Sequence, residues 1–280
     1  MKYLPVVAAA ASASVLLAVT SWVGVMALTA AVCLLCVVVA LGWPQLMGVT
    51  ARKSLSVVIL TAGIVAAVGA AVVERVQSLF FWSTVALAFG VMVVFVLQVL
   101  RGSDRPYRLE STLGACAGVV VTTTAAGWVA GLRYPASLAG TEDDAGVALL
   151  RVRGLLPYED FALLAVTGQG GEISVVGLAA LALLAGTVAA CLPWRDAVVL
   201  PVVVVVTCAA SVGAAVLWGE VTLLFAGVLG LAAGALMASF RRFVVLHGPP
   251  EGVLSALAVG TAPIAAMGGL VYFTERLLFM

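Results

Sequence analysis

The chain of 280 residues contains no asparagine, a single histidine and only two lysines. Without asparagine there is no acceptor for N-linked glycosylation, and one histidine excludes a histidine-based metal cluster or a haem held by two histidines. Charged residues make up 10% of the chain, where a soluble domain averages about 25%. The net charge of +1 also excludes a polybasic nucleic-acid-binding surface. A water-soluble fold could not solvate its surface with so few charges.

Long apolar runs take the place of the missing charge, since 64% of the residues are hydrophobic. A helix that crosses the roughly 30 Å hydrocarbon layer needs about 20 apolar residues, and nine stretches approach that length. The runs do not alternate as the strands of a barrel would. The sequence therefore predicts an all-α polytopic transmembrane helix bundle. Its predicted spans are 4–20, 22–43, 55–73, 79–100, 111–131, 173–192, 197–217, 221–240 and 253–274.

The first two predicted spans almost touch, which indicates a tight hairpin near Thr20–Ser21, because one helix over 4–43 is too long for a single crossing. A Gly-Ala-Ala-Val stretch at 69–72 recurs at 213–216 in a similar setting. We interpret this as two parallel four-helix repeats plus one extra helix; chance recurrence in a chain rich in Ala, Val and Gly is the alternative. The predicted divisions are a first helix (1–21), a first repeat (22–131), an extracytoplasmic loop (132–172) and a second repeat (173–280).

The basic residues predict the orientation. With Met1 in the cytoplasm, nine spans place nine of the fourteen Lys and Arg residues inside, in the direction of the positive-inside rule. Met280 is then outside. Heavy use of Ala, Val, Gly and Arg is typical of a GC-rich genome such as that of an actinobacterium. We therefore expect a multi-pass protein of a bacterial cytoplasmic membrane.

The layout of one plus four plus four helices is similar to that of the UbiA-type prenyltransferases. That resemblance implies Asp-rich loops near 44–54 and 193–196 that hold Mg²⁺ and a prenyl diphosphate. The first of these loops contains no acid, and the second offers only Asp196. Since Mg²⁺ requires carboxylate oxygens, the resemblance covers the topology and the activity is not carried over.

None of the predicted spans carries a charged residue near its middle, where proton relays and coupled ion sites usually have one. The polar residues left in the spans are mild: Thr122, Thr123 and Thr124 in the fifth, and Thr207 and Ser211 in the seventh. Hydroxyl groups of this kind bond to their own helix or to a neighbouring helix. They either serve packing or line a route for a neutral solute.

Three glycine pairs at a spacing of four residues indicate close approach of helices. They are Gly114 and Gly118, Gly127 and Gly131, and Gly230 and Gly234. We expect each pair to put two glycines on one helical face, where another helix of the chain or a partner can pack.

The outer segment 132–172 is much longer than the other predicted connections, and long loops are often functional. It contains Arg151 and Arg153 beside apolar residues, followed by Glu159 and Asp160. The apolar residues suggest a short helix lying on the membrane surface, with the two arginines near anionic lipid headgroups. All four charged residues are also candidate contacts for a partner, such as an envelope membrane protein, or for a lipid-linked substrate. A solvated cap over the bundle is the alternative.

Two classes of function remain open. The first is a non-catalytic scaffold or accessory factor in bacterial cell-envelope assembly. The second is a permease for a neutral or lipid-like solute that moves between the two repeats. The spans offer no catalytic, metal or cofactor motif. A permease should contain a cavity lined by the five hydroxyl residues of the spans, whereas a scaffold should be packed solid there.

Overall fold

The computed structural model describes residues 4–47, 52–73, 75, 78–100, 108–139, 175–192, 194–218, 223–248, 250 and 252–278. In these ranges every regular element is an α-helix, which confirms the predicted all-α class. The helices are α1 (Leu4–Val23), α2 (Val25–Leu46), α3 (Arg52–Val72), α4 (Phe81–Leu100), α5 (Arg108–Thr124), α6 (Gly127–Ala139), α7 (Val175–Ala190), α8 (Asp196–Trp218), α9 (Leu223–His247) and α10 (Val253–Leu278).

Eight helical stretches in the described part of the chain are long and apolar enough to cross a membrane. One of them, Leu109–Tyr134, consists of α5 and α6 together. The sixth predicted span, 173–192, corresponds to α7, whose described part has only 16 residues and a length of about 24 Å. Within the described residues each predicted span is thus mostly helical, and the chain is a polytopic helix bundle.

The turn between α1 and α2 lies at Gly24, a few residues beyond the predicted position at Thr20–Ser21. Gly24 has φ +130°, a conformation that residues with a Cβ rarely adopt. Its N–H donates to the carbonyl oxygen of Thr20 at 3.2 Å, and its own carbonyl accepts the N–H of Leu28 at 3.0 Å. Because α1 and α2 pack against each other, the chain turns at this glycine instead of continuing as one long helix.

The fifth predicted span is interrupted where α5 ends and α6 begins. The N–H of Ala126 donates to the Thr123 carbonyl at 3.3 Å, and the N–H of Trp128 donates to the Ala125 carbonyl at 3.1 Å. These bonds skip three residues instead of four, as in a tighter 3₁₀ turn. α6 then continues to Ala139, so the predicted boundary at 131 falls inside a helix and 132–139 is helical.

Helix α10 lies at the centre of the bundle, where it packs against α1, α2, α5, α6, α7 and α9. Small residues allow the neighbouring backbones to approach. Gly42 of α2 lies against the backbone of Leu254 and the methyl group of Ala258, and Gly260 of α10 lies against Ala9 of α1. Close packing of this kind holds helices together where lipid removes the hydrophobic drive.

The predicted glycine pairs also lie at helix contacts, as expected. A Cβ on Gly118 would lie 2.7 Å from Trp43 Cδ1, and one on Gly230 would lie 2.7 Å from the Cα of Cys208. A Cβ on Gly131 would lie 2.9 Å from a carboxylate oxygen of Glu275. These glycine faces are therefore occupied by other helices of the same chain and are not free to receive a partner.

The helices of the two predicted repeats contact one another extensively. α2, α3 and α4 pack in chain order, as do α7, α8 and α9, while α10 packs against helices of both groups. The division into two repeats and the orientation in the membrane stay predictions.

Candidate functional site

The predicted contact residues of the outer loop, Arg151, Arg153, Glu159 and Asp160, lie outside the described residues. Their role as a partner or headgroup contact stays a prediction. The five hydroxyl residues of the spans all lie within the described residues.

The hydroxyl groups near the end of α5 are used in helix packing. Thr122 is fully buried, and its Oγ1 lies 3.0 Å from the carbonyl oxygen of Ile59 in α3 and 3.1 Å from that of Gly118. Thr123 is 1% exposed and donates to the Val119 carbonyl at 2.8 Å. Thr124, which is half-buried, donates to the Val120 carbonyl at the same distance. Each hydroxyl therefore has a backbone partner.

Thr207 and Ser211 lie on the face of α8 that packs against α9. The Oγ1 of Thr207 donates to the carbonyl oxygen of Val203 at 2.9 Å. Ser211 is fully buried, and its hydroxyl finds no hydrogen-bond partner among the described residues. The side chains of both residues lie against α9 at Gly234 and Gly230, respectively. These two glycines leave the space that the hydroxyl-bearing side chains occupy.

The structure does not bring the hydroxyl residues of α5 and those of α8 into one site. Thr122 faces α3 and Thr207 faces α9, and α5 and α8 are not among the helix pairs that pack extensively. Neither the cavity between α1, α7, α9 and α10 nor the groove between α3 and α4 has any of the five residues in its walls. These contacts therefore do not indicate a shared cavity lined by the five residues.

A cavity of about 330 Å³ opens between α1, α7, α9 and α10. We call it the α9 cavity, because α9 contributes the largest part of its wall. Its walls are Val6, Val7, Ala10, Thr187, Ala190, Cys191, Leu192, Met237, Phe240, Arg241, Val244, Val245, Val259, Gly260 and Pro263. Apolar side chains dominate, and Arg241 is the charged residue among them.

A second space of about 350 Å³ lies on the outer surface between α3 and α4. We call it the α4 groove. It is lined by Val58, Thr61, Ala62, Val65, Trp82, Val85, Ala86, Phe89, Gly90 and Val93, and none of these side chains is charged. Its similar size and different charge make it a natural reference for the α9 cavity.

Arg241 of α9, in the wall of the α9 cavity, bonds both the end of α7 and the start of α8. Its Nε and Nη2 donate to Oδ1 of Asp196, at 3.2 and 3.1 Å, at the start of α8. Its Nη1 donates to the carbonyl oxygen of Ala190 at the end of α7, and Nη2 also reaches the Trp194 carbonyl at 3.4 Å. The guanidinium thus caps the negative end of α7, and Asp196, which lies at the positive end of α8, is paired with it.

Glu275 is a buried polar residue that was not predicted from the sequence. It lies in the last turns of α10, it is fully buried, and neither carboxylate oxygen has a hydrogen-bond partner within the described ranges. Gly131 of α6 lies against its side chain. The neighbouring Tyr272 is also fully buried and stacks on Phe80 with ring centroids 5.1 Å apart. A position one residue beyond a predicted span gave no sign that the carboxylate would be buried.

The part of the chain that the structure describes contains no group of three or more His, Cys, Asp or Glu residues able to hold a metal ion. Asp196, the acid to which the prenyltransferase resemblance pointed, is engaged by Arg241 at 3.1 Å. The described contacts of this acid are those of helix packing.

No protein-family model, curated protein or solved structure matches the chain. The fold defines the class on its own: a multi-pass membrane protein built as an all-α helix bundle.

Proposed function

We propose that the chain is a non-catalytic integral membrane protein that scaffolds or assists the assembly of a bacterial cell-envelope complex. One observation carries the proposal: the hydroxyl groups that a solute route between the helices would need are used in helix packing. Thr122, Thr123 and Thr207 are each 0–1% exposed and bonded to backbone carbonyls. A solute passing this level would have to break these contacts.

The contact surface of such a scaffold would then lie outside the bundle. The glycine pairs pack against other helices of the same chain, so they are not a free surface for a partner. The outer segment 132–172 is the largest polar stretch of the sequence. We propose that Arg151 and Arg153 bind an acidic partner or anionic headgroups there, because a basic pair beside apolar residues suits either.

The test replaces both arginines with glutamate in the full chain. Insertion should be unchanged, because charges far from a span end have little influence on topology. A photo-crosslink from the segment 132–172 to an envelope protein should be lost in the double variant and kept in the control Arg75→Glu. If the double variant keeps its crosslink and its cellular role, the scaffold proposal is wrong.

The α9 cavity favours a second candidate, a permease for a neutral or lipid-like solute. Its walls are largely apolar, and its volume of about 330 Å³ lies within the range of about 300–1,000 Å³ typical of ligand pockets. Flux of a fluorescent lipid analogue in proteoliposomes tests this candidate. Transport that Val245→Trp abolishes would favour it, and flux equal to that of empty liposomes would exclude it.

A further inference from the structure

The polar side chains in the wall of the α9 cavity are already hydrogen-bonded, and Arg241 uses four of its five N–H groups. Thr187 donates its hydroxyl to the Leu183 carbonyl at 2.8 Å, and the thiol of Cys191 donates to the Thr187 carbonyl at 2.8 Å. Their hydrogens are therefore not offered to an occupant. An apolar cavity without polar partners does not hold water, so the occupant that fits these walls is hydrocarbon.

The α9 cavity opens at the end where α7 and α9 finish. Of its lining residues, Cys191 and Val245 are the exposed ones. Val245 is 47% exposed and lies one turn beyond Arg241, at the end of the membrane span Leu223–Leu246. An acyl chain of a lipid whose headgroup lies at this level can therefore enter the cavity.

The end of the cavity where α7 and α9 finish carries an excess of positive charge. A guanidinium has five N–H groups, and Arg241 uses four of them on Asp196, Ala190 and Trp194. Arg195, next to Asp196 in the sequence, and Arg242, next to Arg241, are both exposed. Among the described residues named here, three arginines against one aspartate leave two positive charges.

We propose that the α9 cavity holds one acyl chain of an anionic phospholipid whose phosphate binds Arg195 and Arg242. The apolar walls account for the chain, and the two exposed arginines account for the headgroup. A zwitterionic phospholipid carries a cationic group beside its phosphate that offsets the negative charge offered to the arginines, which is why we assign the anionic lipid. The inference goes beyond the proposed function, and the crosslink at 132–172 can succeed or fail independently of it.

The headgroup is tested with the purified full chain in detergent, titrated with phosphatidylglycerol and with phosphatidylcholine of the same acyl chains. Binding is followed by native mass spectrometry and by the rise in Tm. We expect the wild type to prefer phosphatidylglycerol. Arg195→Gln with Arg242→Gln should weaken phosphatidylglycerol binding by about fivefold per arginine, or ~30-fold together, and weaken phosphatidylcholine binding much less, because its choline already offsets the phosphate charge. The control is Arg75→Gln, because Arg75 is exposed and follows α3, a helix that does not line the α9 cavity.

The acyl chain is tested by filling the cavity. Val245→Trp places an indole at its mouth, and Val93→Trp does the same in the uncharged α4 groove; the two valines are 47% and 38% exposed. We expect Val245→Trp to weaken binding of both lipids and Val93→Trp to keep the wild-type preference. Because both positions are partly exposed, a Tm without lipid close to the wild-type value verifies that each variant folds.

Two results would overturn the proposal. The first is a wild type that binds both lipids equally. The second is a Val245→Trp variant that binds both lipids as Val93→Trp does. Any loss of phosphatidylglycerol binding in the arginine variant would then reflect headgroup contact at the protein surface, with no acyl chain in the cavity. Raised salt should weaken phosphatidylglycerol binding in the wild type and have little effect on the arginine variant.

Discussion

The indole N–H of Trp128, near the start of α6, donates a hydrogen bond of 2.8 Å to the backbone carbonyl oxygen of Ile264 in α10. Trp128 is the largest fully buried side chain in the described part of the chain. Gly268, one turn further along α10, leaves the space against which its ring packs. The bond therefore fixes α6 to the central helix where the chain passes from α5 into α6.

Replacing Trp128 with phenylalanine should destabilise the fold by about 1–3 kcal/mol. The change removes one buried hydrogen bond, worth about 0.5–1.5 kcal/mol, and leaves a gap where the larger ring had packed. Thermal unfolding in detergent measures the effect. The control is Trp22→Phe, because Trp22 is 67% exposed and should tolerate the change. Equal loss in the two variants would contradict the role of the Trp128 bond.

Two glycines inside helices should respond to alanine in opposite ways. A Cβ on Gly268 would lie 2.9 Å from the backbone nitrogen of Trp128, so Gly268→Ala forces α10 and α6 apart and should cost about 1–3 kcal/mol. A Cβ on Gly213 of α8 meets nothing within 4 Å. Gly213→Ala should therefore be neutral or stabilise the helix by up to about 1 kcal/mol. Urea- or heat-induced unfolding of both variants decides whether close approach matters at Gly268.

Sequence reasoning predicted the helical class and the approximate spans because the length of an apolar run is a local property. The glycine pairs were predictable for the same reason, since a spacing of four residues puts both on one helical face. The turn at Gly24 was placed a few residues early because apolar residues continue through it. The break between α5 and α6 was missed, since Ala125 and Ala126 carry no breaker signal.

The candidate site was less predictable, because it depends on which helices become neighbours. The pair of Asp196 and Arg241 joins residues on different helices at 3.1 Å, and no local pattern announces it. Glu275 lies beside a predicted span end, where a carboxylate is ordinarily solvated, and only its packing against Gly131 reveals that it is buried. The α9 cavity likewise combines residues from four helices.

Arg241→Gln should destabilise the protein, whereas the neighbouring Arg242→Gln should not. The first change removes the guanidinium that joins Asp196 to the carbonyl of Ala190. Charged hydrogen bonds are worth about 1.5–3 kcal/mol, and because Asp196 keeps 38% of its side-chain surface exposed, solvent screening favours the lower part of that range. The Tm in detergent is the measurement. An Arg241→Gln variant as stable as Arg242→Gln would show that the guanidinium bonds contribute nothing.

The predicted orientation can be measured at Cys191, which is exposed at the end of α7. With the other four cysteines replaced by alanine, a membrane-impermeant maleimide should label Cys191 in inverted vesicles and not in intact cells. Arg75→Cys, placed at the opposite end of the bundle in the prediction, should give the reverse pattern when Cys191 is also replaced. Labelling of Cys191 in intact cells would overturn the orientation with Met1 inside.

Glu275→Gln should change stability by less than about 1 kcal/mol. The fully buried carboxylate has no hydrogen-bond donor in the ranges that the structure describes, so the amide of similar size loses no interaction when it replaces the carboxyl group. If the carboxylate were part of a buried ion pair, removing its charge would cost about 3–5 kcal/mol, which is clearly more than the expected change of less than about 1 kcal/mol. Unfolding of Glu275→Gln in detergent, beside Glu275→Leu of similar volume, is the measurement. A loss of about 3 kcal/mol in both variants would mean that the carboxylate pairs with a cationic group outside the described residues.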